Sequence, residues 1–173
     1  MTDEVREDRP YLVRITIAGQ AGWTLWFDGD PALLLAREGR VMLFSSPDAL
    51  TAAIAKGPWT FSPASVVDFD AAAAWMASPD REVTTDGCDN ALNALNMAID
   101  VGATVGDHRL ADLVASAALG DVYDAVTFGL TLLGDGSPYR DDPAAMIAAI
   151  TPASAEAMGE LVAMVSGHMH LEE

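Results

Sequence analysis

Asp89, Asn93, Asn96 and Asp100 recur at steps of four, three and four in the stretch CDNALNALNMAIDVGATVG, Cys88 to Gly106. At helical spacing they share one narrow side, while Leu92, Leu95 and Ile99 share another, with Cys88 a turn earlier. Asparagine and aspartate each cost a helix interior roughly half a kcal/mol relative to alanine, so such a line implies a use for their polar ends. Carboxylate and amide oxygens suit a hard cation. They equally suit a hydrogen-bond network that fixes the helix against a sheet or a loop, and this is the favoured reading. No D-x-[DN]-x-[DN]-G loop with a distal glutamate supports a calcium site.

Other reactive residue types are sparse. Cys88, the single cysteine, falls on the apolar side, where a thiol is an inert core residue, and it rules out an intramolecular disulfide. His168 and His170 form an H-x-H pair near the C-terminus without a second ligand cluster, which fits a frayed tail better than a zinc site. His108 reads as a cation at a helix end. There is no G-x-S-x-G elbow and no phosphate-binding glycine loop with its lysine. The pairs Asp28/Asp30 and Asp68/Asp70 read as turn and cap residues. Trp23, Trp59 and Trp75 read as core anchors, whereas Trp26 points away from Leu25 and Phe27 in a regular strand, making it a candidate exposed binding anchor. The candidate binding residues are therefore Asp89, Asn93, Asn96, Asp100 and Trp26, with no catalytic residue, metal ligand or cofactor assigned.

The elements that must position these residues follow from pattern. Tyr11 to Ala18 alternates as a half-buried strand, Trp23 to Phe27 is a second, and Leu33 to Ala36 with Val41 to Phe44 forms a hairpin around Glu38-Gly39. Ser46-Pro47-Asp48 starts a short helix that Gly57 stops. Gly57 to Phe69 reads as a crossing loop with a short strand near Val66, and Asp70 as the cap of a helix over Ala71 to Ala77. The Cys88 helix ends near Gly106. Leu110 to Ala117 is a further helix stopped by Gly120. From Asp121 to Leu133 helix and strand both fit, and Gly134 to Asp141 is a loop. Asp142-Pro143 and Thr151-Pro152 each begin a helix, the latter ending at Gly167. The expected fold is α+β in a single domain over 1–173: an N-terminal three- to four-stranded antiparallel sheet with a short helix (11–57), packed against a mainly helical set (70–167).

Twenty-six acids face nine bases, for a net charge of −17, and Lys56 is the only lysine. Such a surface repels phosphate backbones and anionic membranes, so neither nucleic acid nor membrane is an expected partner. It attracts basic partners, although coding bias or salt adaptation gives a similar composition. The opening MTDEVREDRP lacks an apolar signal region, so a cytoplasmic protein is expected.

The combination of FSSPDAL, LNALNMAID and DVYDAVTFG is similar to small acidic proteins of high-GC actinobacteria. That resemblance implies a bacterial cytoplasmic origin and carries over no activity. Two function classes stand. One is a non-enzymatic interaction module binding a basic protein, in an immunity- or antitoxin-like manner. The other is a metal-assisted or small-ligand-binding enzyme using the polar stripe. Homo-oligomerisation is left open.

Overall fold

A computed structural model describes residues 10–54, 62–127 and 148–172. In β1 (Tyr11–Ile17), Val13, Ile15 and Ile17 are buried and Arg14 is exposed, as the alternation requires. A two-residue turn at Ala18 and Gly19, with φ of 50° and 74°, returns the chain into β2 (Gln20–Phe27). An alanine in the left-handed region is strained, and Asp70 offsets this. Its two carboxylate oxygens accept from the N–H groups of Ala18 and Gly19 at 2.7 and 2.8 Å.

The expected hairpin follows. β3 (Leu33–Leu34) pairs with β2, and β4 (Ala36–Arg37) turns through Glu38-Gly39 into β5 (Arg40–Phe44), which also pairs with β2. The helix α1 (Pro47–Ala53) starts where the Ser46 hydroxyl accepts from the N–H of Ala49 at 3.1 Å. It closes at Ile54, and its expected stop, Gly57, lies outside the described residues.

The α+β class stands, but the sheet is mixed, with seven strands among the described residues. β6 (Ser62–Asp68) pairs in parallel with β1, and β7 (Met169–Glu172) in parallel with β5. Within the stretch expected as a crossing loop, residues 57–61 lie outside the described residues, and the short strand expected near Val66 is thus a seven-residue strand. Pro63 obscured it, yet β6 ends the strand order, where a proline is tolerated. The C-terminal segment is no frayed tail either: the N–H of Val41 donates to the carbonyl of His168 at 2.8 Å and the β7 ladder continues from there.

α2 (Phe69–Ala77) is capped by Asp68, not Asp70, through a 2.9 Å bond from the N–H of Ala71. The long α3 (Thr85–Val105) begins at the Thr84 cap and ends at Gly106, whose φ of 75° satisfies the left-handed C-cap that glycine favours. α4 (Arg109–Val114) closes at Ala115. Gly120, expected as a stop, is instead the first residue of α5 (Gly120–Thr127), so the ambiguous segment is helical up to Thr127. The remainder of that segment, the Gly134 to Asp141 loop and the Asp142-Pro143 helix start lie outside the described residues. α6 (Pro152–Gly167) begins at the expected Thr151 cap, where Thr151 and Ser154 cap each other's N–H groups.

The main core lies between one sheet face (Val13, Ile15, Ile17, Val41, Leu43, Val67) and the helices α2 to α6. A smaller cluster of Leu25, Met42, Phe44 and Leu50 seats α1 on the opposite face. Among the described residues, no helix is long and apolar enough to cross a membrane.

Candidate functional site

α3 lies across the helix-side face of the sheet. Cys88, Ala91, Leu92, Ala94, Leu95, Ala98 and Val101 are all buried there, the small alanines allowing close approach. The polar stripe consequently runs along the flank of α3, with Asn93 exposed and Asp89, Asn96 and Asp100 half-buried. Near its C-terminal half, Asn93, Asn96 and Asp100 line a cleft of about 370 Å³, together with Trp26 from β2. Val13, Val67 and Met97 supply apolar wall, and Ser65 and Val66 complete the β6 side.

Each polar group is held differently. The indole N–H of Trp26 donates to Oδ2 of Asp100 at 2.9 Å. Trp26 is half-buried and tilted 53° against the Tyr11 ring, with ring centroids 5.1 Å apart. It is therefore an anchor in a cleft wall and not the open-surface residue the strand pattern suggested, although it does point away from Leu25 as expected. The Tyr123 hydroxyl of α5 donates to Oδ1 of Asn96 at 2.7 Å. Asn93 is exposed, and its side chain makes no hydrogen bond among the described residues. Thr104, one turn beyond Asp100, donates to the Asp100 carbonyl at 2.7 Å and accepts from the N–H of Leu34 at 2.9 Å, pinning this end of α3 to the sheet. The stripe is thus partly a structural network and partly open.

Burial raises the Asp100 carboxyl above the ordinary aspartate value, and the Trp26 hydrogen bond only partly counteracts it. The cleft therefore holds a carboxylate short of solvation, which a donor or a cation entering the space would stabilise. Asp89, the first residue of the stripe, does not line the cleft. Burial, and after it the Asp89 charge, pushes the Cys88 thiol up to about 11, which leaves that buried sulfur protonated and unreactive at neutral pH.

Two arrangements escaped the sequence reading. Asn90, one position off the stripe, clasps the end of β6: its Nδ2 donates to the Asp68 carbonyl at 2.8 Å and its Oδ1 accepts from the Asp68 N–H at 3.1 Å. Its signal was the same as that of its neighbours, an asparagine inside a helix. Asp107, just past α3, accepts from Arg109 at 2.6 and 2.8 Å and bonds the ring of His168 at 3.0 Å. Those bonds, Arg109 first, hold its carboxyl far below the usual range. His168 so serves as a clasp between the ends of α3 and α6, while His170 is exposed on β7. Among the described residues, no three histidine, cysteine, aspartate or glutamate side chains stand close enough to hold a metal ion.

The chain is similar in structure to the C-terminal domain of SatS, solved as a crystal structure in complex with bromine. The TM-score is 0.60 over 99% of this chain and 98% of that chain, at 18% sequence identity, a likeness of fold. No protein-family model and no curated protein matches the sequence.

Proposed function

We propose that the protein is a non-enzymatic interaction module that binds a basic protein partner, with the α3 cleft as the seat of contact. The supporting observation is the convergence of Trp26, Asn93, Asn96 and Asp100, from two distant parts of the chain, on one partly open space. A net charge of −17 attracts a basic partner from a distance, and a cleft with an under-solvated carboxylate gives that attraction a fixed address. An acidic inhibitor of a basic toxin, acting in the cytoplasm, is the concrete version.

The same volume falls within the range of small-molecule sites, roughly 300–1,000 Å³. A ligand-binding enzyme using the stripe is accordingly the competing reading. Amide and indole resonances followed by NMR during titration with polyarginine separate the two. A basic-partner module shows saturable shifts centred on Trp26, Asn93, Asn96 and Asp100. Shifts spread evenly over the acidic surface, or none at all, contradict the proposal.

A further inference from the structure

Resting on that reading of the cleft, we propose that its occupant is one arginine side chain of the partner, the guanidinium gripped by Asp100, Asn96 and Asn93. Three observations carry this. First, the acceptors outnumber the bonds they make. Oδ2 of Asp100 takes the Trp26 indole, and Oδ1 takes nothing from the described residues. The Asn93 side chain has no hydrogen bond among them, and the Asn96 oxygen, which already accepts from Tyr123, has a second lone pair. Second, Asn93, Asn96 and Asp100 stand on one helix flank at steps of three and four, neighbours about 5–6 Å apart at Cβ, and all three line the cleft, so a ligand seated in it meets them from one side. A planar guanidinium offers five N–H donors in a fixed fork and can serve several acceptors together, whereas an ammonium is a compact point charge. Third, Val67 and Met97 line the same space and give a methylene stem an apolar bed while its charged head reaches the carboxylate.

Trp26 acts here as a positioning residue. Its indole fixes one carboxylate oxygen of Asp100 and so leaves the other for the ligand. Asp100 supplies the charge that distinguishes arginine from a neutral side chain of equal length.

Calorimetric titration of the full chain with capped Gly-Arg-Gly, Gly-citrulline-Gly and Gly-Lys-Gly peptides tests the assignment. The arginine peptide is expected to bind at least about tenfold more tightly than the citrulline peptide, which has the same shape without the charge, and severalfold more tightly than the lysine peptide. Asp100→Asn retains an oxygen for Trp26 and should lose the arginine preference while keeping its fold, checked by its melt. Asn93→Ala, at an exposed position, should weaken the arginine peptide by severalfold without affecting the melt. Equal binding of arginine and citrulline peptides, or an Asp100→Asn protein that still prefers arginine, overturns the assignment. If polyarginine still shifts the cleft resonances in that event, the arginine anchor alone is wrong. If polyarginine also fails, the basic-partner reading falls with it.

Discussion

The indole N–H of Trp26 and the carboxylate of Asp100 meet at 2.9 Å although 74 positions separate them in the chain. The bond joins β2 to α3 at the cleft, so it contributes both to the attachment of the helix and to the shape of the site. Trp26→Phe removes the donor and leaves a half-buried carboxylate with one partner fewer. A destabilisation of about 1 kcal/mol is expected in denaturant melts at neutral pH.

Asp100→Asn behaves in the opposite way. The folded-state value of Asp100 is raised, so its contribution to stability is fully present below the ordinary aspartate value of 3.8 and is lost as pH rises through the raised value. The asparagine variant should therefore be the more stable protein at neutral pH, with its advantage closing as the solution is acidified. Melting temperatures of the two proteins measured across the acidic range check the sign. A variant less stable at neutral pH would show that the Trp26 bond outweighs desolvation.

Asn96 and Tyr123 link α3 to α5 through a single 2.7 Å bond. Replacing Asn96 by Leu gains a few tenths of a kcal/mol in helix propensity and loses about 1 kcal/mol of hydrogen bonding, for a small net loss. The double variant with Tyr123→Phe should recover part of it, because both ends of the bond are then gone. Additive losses in that cycle would mean that the two groups do not interact in solution.

The polar stripe, and the turn of Trp26 away from Leu25, were legible because helix and strand periodicities are local properties, whereas the packing of Trp26 against the helices was not. Asparagines and aspartates placed against helix propensity marked α3 as a helix with work for its polar side, and Asn96 and Asp100 are bonded accordingly. A short strand near Val66 was legible, but the full length of β6, its parallel pairing and the whole of β7 were not. Their pairing with β1 and β5 depends on partners far away in the chain, and the proline of β6 masks the local strand pattern. Asp68 and Asp70 show the same limit at finer scale. Either fits a helix cap by spacing, and only the position of the Ala18-Gly19 turn decides that Asp70 serves the turn while Asp68 caps the helix. Nor could the composition indicate that His168 would meet Asp107 across the ends of two helices.

Asp107 gives a pH dependence of the opposite sign to that of Asp100. Its folded-state value is depressed, chiefly by Arg109 and then His168, so its contribution is present above 3.8 and lost as pH falls toward the lower folded value. Asp107→Asn should be less stable than the parent protein near neutrality. The gap should narrow below the ordinary aspartate range, as read from chemical melts at stepped acidic pH. A gap that widens on acidification would contradict the clasp.

The carboxyl of Asp100 reports the binding claim itself. NMR titration of its side-chain carbon, in the unbound protein and again at saturation with the capped arginine peptide, measures what the cleft does to that charge. In the unbound protein it should titrate above the ordinary aspartate value, because burial disfavours the anion. With the peptide bound it should drop, since a guanidinium seated beside it favours the ionised form, and the pH dependence of peptide affinity should shift by the matching amount. The same titration midpoint with and without bound peptide would place the cation elsewhere and contradict the cleft as the site of contact.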